Sequence, residues 1–397
     1  MDFHLAPEQI EFRDTVRGFV NDEVKPVTLN ADRLDLADRT LPADVLRKGS
    51  HMGLRTLMLP EDLGGVGADA LTACIVTEEL AVGDTDLAAV LSETSGLSLR
   101  LFAQMTDAQR ARFGGPFLED DDFHLALACR EPDDDSALGI NYRRPAPAMN
   151  LSTKAVRDGG HWIINGAKDA IANATVAKLI AVEAQTDRGP ALFLVPRDTP
   201  GLTITGQPGP RWYHGSCGQL TLTDVRVPAE NLLGLNSGDA GRGAPLAQSV
   251  NLGIGRAAYE AALEYAQLRV QGGRPIIEHQ AIGTKLAECA LRLDIVRNTI
   301  WRAAWASDHP DAFGDRSLPD LPLTTMARVF TSETIYRVAK DAAECFGAMG
   351  VMRDMPLQKY IHDAMICLHT GDGNSDDKLR LAEALVAHRR PQMLAAE

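Results

Sequence analysis

The chain changes its hydrophobic rhythm twice, and that double switch limits what it can fold into. From Pro7 to about Arg112 apolar positions fall at helical spacing: Ile10, Val16 and Phe19-Val20 first, Val76 and Leu80 later. The Gly64-Gly65-Val66-Gly67 turn interrupts this region, and Asp69 is placed to cap the helix that follows. Between about Phe123 and Val227 the pattern becomes short alternating or β-branched runs, such as His161-Trp-Ile-Ile, Leu179-Ile-Ala-Val-Glu, Ala191-Leu-Phe-Leu-Val and Gln219-Leu-Thr-Leu-Thr. Asn165-Gly166, Gly201, Gly206 and Gly209 punctuate them as turns.

After Gly234 a glycine-rich linker, Asn236 to Gly243, leads back to helical spacing. Leu246, Val250, Ile254, Ala257, Ala261 and Tyr265 form one face; Ile282, Leu286, Cys289, Leu293, Val296 and Ile300 form the next. Asp308 to Leu323, with three prolines, reads as a loop, and two further helices surround Phe346-Gly-Ala-Met-Gly350. Helices, sheet and helices in segregated blocks predict an α+β chain, with boundaries at 1–120, 121–237 and 238–397.

At 397 residues the chain exceeds what one small core organises, so two or three structural units are expected. Its composition, 45% hydrophobic and 24% charged, is that of an ordinary soluble globular protein. A formal net charge of -14 argues against nucleic acid or an anionic membrane as partner, while local arginines remain able to hold a phosphate-bearing ligand. Cys74, Cys129, Cys217, Cys289, Cys345 and Cys367 lie far apart without a Cys-x-x-Cys pair, which predicts free thiols in a reducing compartment. There is no run of about 18 uncharged apolar residues, and the first dozen residues carry acids rather than a basic-then-apolar leader. The expected location is cytoplasmic.

The segment richest in chemistry runs Arg269-Val-Gln-Gly-Gly-Arg-Pro-Ile-Ile-Glu-His-Gln280 and joins two periodic helical segments. A guanidinium suits a diphosphate because its planar fork donates two parallel hydrogen bonds and keeps its charge. The glycine pair would let backbone approach whatever that fork holds. By itself the segment also reads as an elbow with a surface arginine.

The segment resembles the flavin-diphosphate loop of the acyl-CoA dehydrogenase family, where an arginine and a downstream His-Gln reach the neighbouring subunit's FAD. Other matches follow in family order: Leu59-Pro-Glu-Asp-Leu-Gly-Gly-Val-Gly67, Glu78-Glu-Leu80, Trp162-Ile-Ile-Asn-Gly166, Asp224-Val-Arg-Val-Pro-Ala-Glu-Asn-Leu-Leu-Gly234, Phe346-Gly-Ala-Met-Gly350 and Asp363-Ala364. They cover nearly the whole chain. The resemblance implies an amino-terminal all-α domain, a middle antiparallel β-barrel and a carboxyl-terminal four-helix bundle. It also implies FAD, an acyl-CoA or acyl-carrier thioester substrate, an electron-transferring flavoprotein as acceptor, and a homotetramer or heterotetramer.

Several positions depart from the family pattern. Its base is a glutamate in a tract reading roughly Tyr-Glu-Gly-Thr, where this chain has Ile366-Cys-Leu-His-Thr-Gly-Asp-Gly-Asn-Ser375. Without a gap the glutamate falls on Gly371, which has no side chain. With one inserted residue, Asp372-Gly373-Asn374 takes the place of Glu-Gly-Thr, making Asp372 the candidate base and Asn374 a flavin contact. The aspartate arm is shorter by about 1.5 Å, and a general base must reach the proton it takes. The other reading of Asp372 is a glycine-flanked turn residue.

Arg130 in Arg130-Glu-Pro132 stands where the family has Thr, and Ala170-Ile-Ala172 where it has Trp-Ile-Thr. Each lost hydrogen bond costs on the order of 1 kcal/mol. Arg130 either places a cation at the flavin's pyrimidine edge, stabilising the reduced anion, or pairs on the surface with Asp133, Asp134 or Asp135. Ser136 matches a serine that contacts flavin or CoA diphosphate; Arg269 and Gln280 match the cross-subunit contacts, and Gly347 the close backbone approach. Glu344 replaces the usual Gln and Ala348 the second Gly. His279 reads as a helix-start histidine with structural hydrogen bonds, and Met349, Met352 and Met355 as adaptable packing. No residues have metal-ligand spacing, and no Gly-x-Ser-x-Gly elbow supports a hydrolase.

Three functions fit: an FAD-dependent acyl-CoA dehydrogenase using Asp372, a non-catalytic or half-site subunit of a heteromeric dehydrogenase, or a flavin-dependent relative with changed chemistry, monooxygenase or thioester lyase. The Gly-Asp-Gly-Asn loop, which retains an acid, favours the first.

Overall fold

The computed structural model describes residues 4–34, 39–132, 151–206, 215–234, 245–309, 323–352 and 354–369, with 374–375, 377–379, 381–382 and 384 beyond them. Six helices come first: α1 (Pro7–Phe19), α2 (Lys25–Thr28), α3 (Ala43–His51), α4 (Ala70–Gly83), α5 (Thr85–Gln104) and α6 (Asp107–Glu119). The strands are β1 (His124–Ala128), β2 (Lys154–Asp158), β3 (His161–Ile171), β4 (Ala177–Thr186), β5 (Gly189–Pro196), β6 (Leu202–Gly206), β7 (Gly218–Pro228) and β8 (Leu232–Gly234). Then come α7 (Leu246–Leu268), the hairpin β9 (Val270–Gln271) and β10 (Arg274–Pro275), α8 (Gln280–Asp308), α9 (Leu323–Cys345) and α10 (Leu357–His369).

The chain gathers into two compact units, each built from stretches far apart in sequence. One comprises Met1–Pro42, Ala70–Ala88 and Ala244–Glu397; the other comprises Ala43–Asp69 and Ala89–Gly243. The helical stretch 1–120 thus contributes segments to both.

In the first unit α7, α8, α9 and α10 pack as a bundle, and α4 lies against α7 and α8. α4 is apolar nearly all round and is buried along its length, including Ile75, Val76, Leu80 and Val82, as a central helix must be. It approaches α7 closely at Gly253, where a Cβ would sit 2.5 Å from that of Ala81 and 2.6 Å from the Glu78 carbonyl. On α7 the buried positions after Ala257 are Ala258, Ala262 and Ala266, while Ala261 and Tyr265 are half-buried, so the face predicted through them is rotated by one residue. On α8 the expected face of Leu286, Cys289, Leu293, Val296 and Ile300 is buried.

A charged network lies among these helices. Glu78 of α4 accepts from Arg256 of α7 at 2.8 Å and from Arg297 of α8 at 2.7 Å. Glu79 accepts from Arg256 at 2.9 Å and from Arg17 of α1 at 2.8 Å. Both glutamates are only 2–3% exposed. Burial alone would push the Glu79 carboxyl up, but bonds from Arg256 and Arg17 hold it below its ordinary value.

The second unit is built on an eight-stranded sheet, in which β6, β7, β3, β2, β4, β5 and β8 follow one another and β1 pairs with β4. β4 separates two cores. Leu179 and Ala181 join Leu97, Leu101 and Phe102 of α5 and Phe113 and Phe117 of α6; Ile180, Val182 and Ala184 join Trp162, Ile164, Phe193 and Leu222 on the other face. Burial on both faces explains why this strand reads as a continuous apolar run. The sheet is mixed, for β1–β4 and β2–β4 are parallel while the other pairings are antiparallel, and among the described residues the hydrogen-bonded path runs from β6 to β8. Parallel neighbours need a long connection, and the β2–β3 hairpin together with the residues before it lies between β1 and β4. In the Leu59–Gly67 motif a Cβ on Gly65 would meet the Leu59 carbonyl at 2.0 Å, so only glycine closes this turn.

Arg256→Ala should cost about 3–5 kcal/mol, since it leaves two buried carboxylates short of their shared partner. Denaturant unfolding of the variant checks this; a loss below about 1 kcal/mol, the range of an exposed pair, would show that the network is not holding the helices.

Candidate active site

Where α7 ends, the Arg269 N–H donates to the Tyr265 carbonyl and the Arg269 carbonyl accepts from Ile276, both at 2.8 Å. Gln271 pairs with Arg274 across a two-residue turn in which Gly272 and Gly273 take φ +63° and +84°. Two successive positive φ angles define the hairpin turn that suits strand twist and demand glycine-like residues. The turn by itself requires the glycine pair, and Gly272 also lines the cavity beside it. His279 precedes α8 and ties the hairpin down: Nε2 donates to the Gln271 carbonyl at 2.9 Å, and Nδ1 accepts from Arg274 at 3.4 Å. Its expected structural role is met.

Beside this elbow lies a cavity of about 510 Å³, lined among others by Tyr265, Arg269, His279, Glu344, Phe346 and Gly347. The Tyr265 and Phe346 rings stack 4.1 Å apart and 13° from parallel, giving the cavity a flat aromatic wall. Gly347 takes φ +58°, the left-handed region, with nothing within 4 Å of the position a Cβ would occupy. The Glu344 carboxylate is held below its ordinary value by its ion pair with Lys285, so the acid at the rim is neutralised. Gln280 is the first residue of α8 and exposed, one position past the lining His279. The stacked rings escaped the sequence reading because Tyr265 and Phe346 are 81 residues apart (346 − 265) and adjoin no motif in common.

A second polar constellation sits at one end of the sheet. Lys168, with no exposed surface, donates to Glu131 at 3.1 Å and to the Cys129 carbonyl at 3.0 Å. Glu131 also accepts from the backbone N–H of Ser152 at 2.7 Å and of Thr153 at 2.8 Å. Burial raises the Glu131 carboxyl, but its bonds to Thr153 and Ser152 and the Lys168 charge outweigh that and bring it down to about 2. Nothing in the residue order marked Lys168 out, because its strand also carries His161, Asn165 and Asp169.

Next to it the Asp169 N–H donates to the Arg130 carbonyl at 3.1 Å, while Asp169 Oδ1 accepts from the Ala170 N–H at 2.7 Å and from Gln219 at 2.9 Å. Ala170 takes φ +53°, and Ala172 is exposed. Arg130 is half-buried, and among the described residues its guanidinium has no ion-pair partner. Burial pushes the nearby Cys217 thiol up to about 12, with Asp169 raising it further and Arg130 lowering it. Asn173, at φ +60°, donates to the Val90 and Leu125 carbonyls and to Thr94, fixing α5 to the sheet.

Ser136, Gly371 and Asp372 lie outside the described residues. Asn374 exchanges hydrogen bonds of 3.0–3.1 Å with Ser332 of α9 and donates to Glu333 at 3.3 Å.

Three family profiles match in succession: "Acyl-CoA dehydrogenase, N-terminal domain" over residues 6–121, the middle domain over 145–225 and the C-terminal domain over 240–384. The chain belongs to the acyl-CoA dehydrogenase family. It is 31% identical to the probable acyl-CoA dehydrogenase YngJ of Bacillus subtilis (strain 168), covering 97% of this chain and 100% of that protein. Identity to the mitochondrial short-chain specific acyl-CoA dehydrogenase of Bos taurus is also 31%, over 89% of this chain and 84% of the relative. Among solved structures, the butyryl-CoA dehydrogenase of Megasphaera elsdenii superposes with a TM-score of 0.84 at 26% identity, covering 97% and 100% of the two chains. Acyl-CoA dehydrogenases are FAD-dependent oxidoreductases acting on CH–CH bonds, and this chain is one of them.

The residues present fit that cofactor. A planar ring wall, a guanidinium fork and a left-handed glycine around one cavity are the groups that the ADP half of a dinucleotide calls for.

Glu131, depressed in the folded acyl-CoA dehydrogenase, contributes stability that is present above its unfolded value of about 4.5 and lost as pH falls through about 2. Glu131→Gln should therefore lose most relative to wild type at pH 7 and progressively less toward pH 2. A constant difference across that range in denaturant titrations would remove the charge from the account.

Proposed function

We propose that this acyl-CoA dehydrogenase carries out α,β-desaturation of an acyl thioester with Asp372 as its base and with Arg130, Ser136, Arg269, Gln280, Gly347 and Asn374 toward the flavin. The observation that carries the cofactor part is the cavity where Arg269, the Tyr265–Phe346 stack and Gly347 meet. Arg269 and Gln280 would grip the diphosphate by charge and amide, the aromatic wall would hold the adenine, and Gly347 would admit it at van der Waals distance. Bound FAD supplies the two-electron acceptor for hydride from the β-carbon.

The chain's own chemical task is to take the α-proton. Asp372 is the acid that alignment offers for it, and burial beside a flavin would raise its carboxyl into a range where it can accept a proton near neutral pH. Arg130, free of ion-pair partners among the described residues, would set a cation at the flavin's pyrimidine edge. Electrons would leave to an electron-transferring flavoprotein. The reading includes a homo-oligomer in which Arg269 and Gln280 serve a neighbouring subunit, and a cytoplasmic location consistent with six free cysteines.

A second reading, a non-catalytic or half-site subunit of a heteromeric dehydrogenase, is favoured by Ala170 and Ala172 in the positions of the flavin-contacting tryptophan and threonine. The visible spectrum of the protein purified alone separates the two. About one flavin per chain, bleached anaerobically by an acyl-CoA ester, supports the self-sufficient enzyme. A colourless chain that cannot be reconstituted with FAD supports the subunit.

Asp372→Asn should abolish bleaching by substrate while leaving flavin bound, and bleaching at the wild-type rate would take Asp372 out of the mechanism. Arg269→Ala should lower flavin content per chain, which protein-to-flavin absorbance ratios measure; full occupancy would refute its part in the grip.

A further inference from the structure

From Ala89 onward α5 belongs to the sheet unit and is buried on nearly every side. Its half-buried positions between Thr85 and Phe102 are Ala89, Glu93, Gly96, Leu99 and Arg100. All but Leu99 fall at i, i+4, i+7 and i+11, which is a single face of a helix. That face presents an acid, a glycine and a guanidinium. Glu93 and Arg100 stand about 10 Å apart along the axis, and Gly96 puts no side chain between them. The Arg100 charge bears on the Glu93 carboxyl, which burial raises above its ordinary value. Yet the two form no ion pair, and neither side chain has a hydrogen bond among the described residues. Charges kept half-buried without such partners are costly.

The neighbouring charges are engaged elsewhere. Lys168 is taken by Glu131, and Glu183 faces the Cys129 thiol. Arg100 bears on that same thiol, and Cys129 immediately precedes Arg130. The face therefore lies beside the strand end from which Arg130 emerges.

We propose that this face holds a hydroxyl on the acyl chain of the substrate, at a carbon remote from the thioester, with the hydroxyl donating to Glu93 and accepting from Arg100. The assignment rests on the acyl-thioester reading above and names the substrate class within it, a hydroxyacyl rather than a plain alkyl chain. Complementarity selects the group. A methyl end would leave both charges unanswered. A carboxylate end would suit Arg100 but set like charge against Glu93, and an ammonium end would suit Glu93 but stand against Arg100. A hydroxyl is donor and acceptor at once, so one neutral oxygen satisfies both groups. With Arg130 at the flavin, the bound hydroxyl lies away from the reacting carbons. Glu93 and Arg100 then set specificity and take no part in proton or hydride transfer.

The test uses the purified full-length protein and CoA esters of matched length ending in methyl, hydroxyl, carboxylate or ammonium. In calorimetric titration the hydroxyl ester should bind about 10- to 100-fold more tightly than the methyl ester, the range that hydrogen bonds to charged groups supply. Glu93→Leu and Arg100→Leu should each bring the two esters to nearly equal affinity. Glu93→Gln, which keeps an acceptor oxygen without the charge, should lose part of the preference and decides the matter if the leucine variants misfold. Equal affinities in wild type, tighter binding of the carboxylate or ammonium ester, no binding of any ester, or an undiminished preference in the variants overturns the site. Anaerobic bleaching by the same esters reads the catalysis separately. A hydroxyl preference in binding without bleaching sinks the desaturation and keeps the site, whereas bleaching without the preference sinks the site and keeps the desaturation.

Discussion

The helical unit depends on a contact that an apolar core cannot make. Two adjacent glutamates, Glu78 and Glu79, are buried in the most apolar helix of the chain, and they are tolerable there only because Arg256, Arg297 and Arg17 reach them from three other helices. Each arginine is a planar fork with fixed donor directions, so the pairs specify distance and rotation as well as proximity. A Leu-rich interface at the same place would bind as strongly with less demand on geometry. The close approach at Gly253, one helical turn before Arg256, belongs to the same arrangement. The register of α7 against α4 positions α7's far end, where Tyr265 and Arg269 meet the turn after α9.

The sheet unit uses the same device on a smaller scale. Lys168 would be unsustainable in the interior without Glu131, and Glu131 in turn is held by two backbone N–H groups. This anchors the residues just after β1, so that Arg130 emerges from a fixed backbone and not from a loose loop. Asp169 completes the anchor by joining that backbone to Gln219 of β7 and by supporting the left-handed Ala170. Binding geometry of this sort comes from rigid supports beneath the contacting group.

Much of this was legible in the residue order. The Arg269–Gln280 segment announced an elbow with a positive group, Phe346–Gly350 a turn, and His279 a helix-start residue with structural bonds. What the order concealed has a common cause. The glycine pair at 272–273 suggested room for a ligand, but the positive φ angles that the hairpin demands of it were not legible in the residue order. The parallel pairing of β1 and β2 with β4 was not legible because alternation along a strand reports which face is buried, not the direction of its neighbour. The Tyr265–Phe346 wall and the Arg256 network join residues from separate helices, and no local pattern encodes such pairs.

The sequence by itself determined the α+β class, the helical and strand periods, the family, and the chemical types available to the site: a guanidinium at Arg269, an acid at Asp372, a cation in place of a hydroxyl at Arg130. Those follow from local spacing and side-chain chemistry, which a linear string carries in full. Tertiary structure alone decided which helices share Glu78 and Glu79, which aromatic rings close the cavity, and which face of α8 is buried. Each is a matter of distance between residues far apart in the chain, and burial and pairing energies are set by those distances.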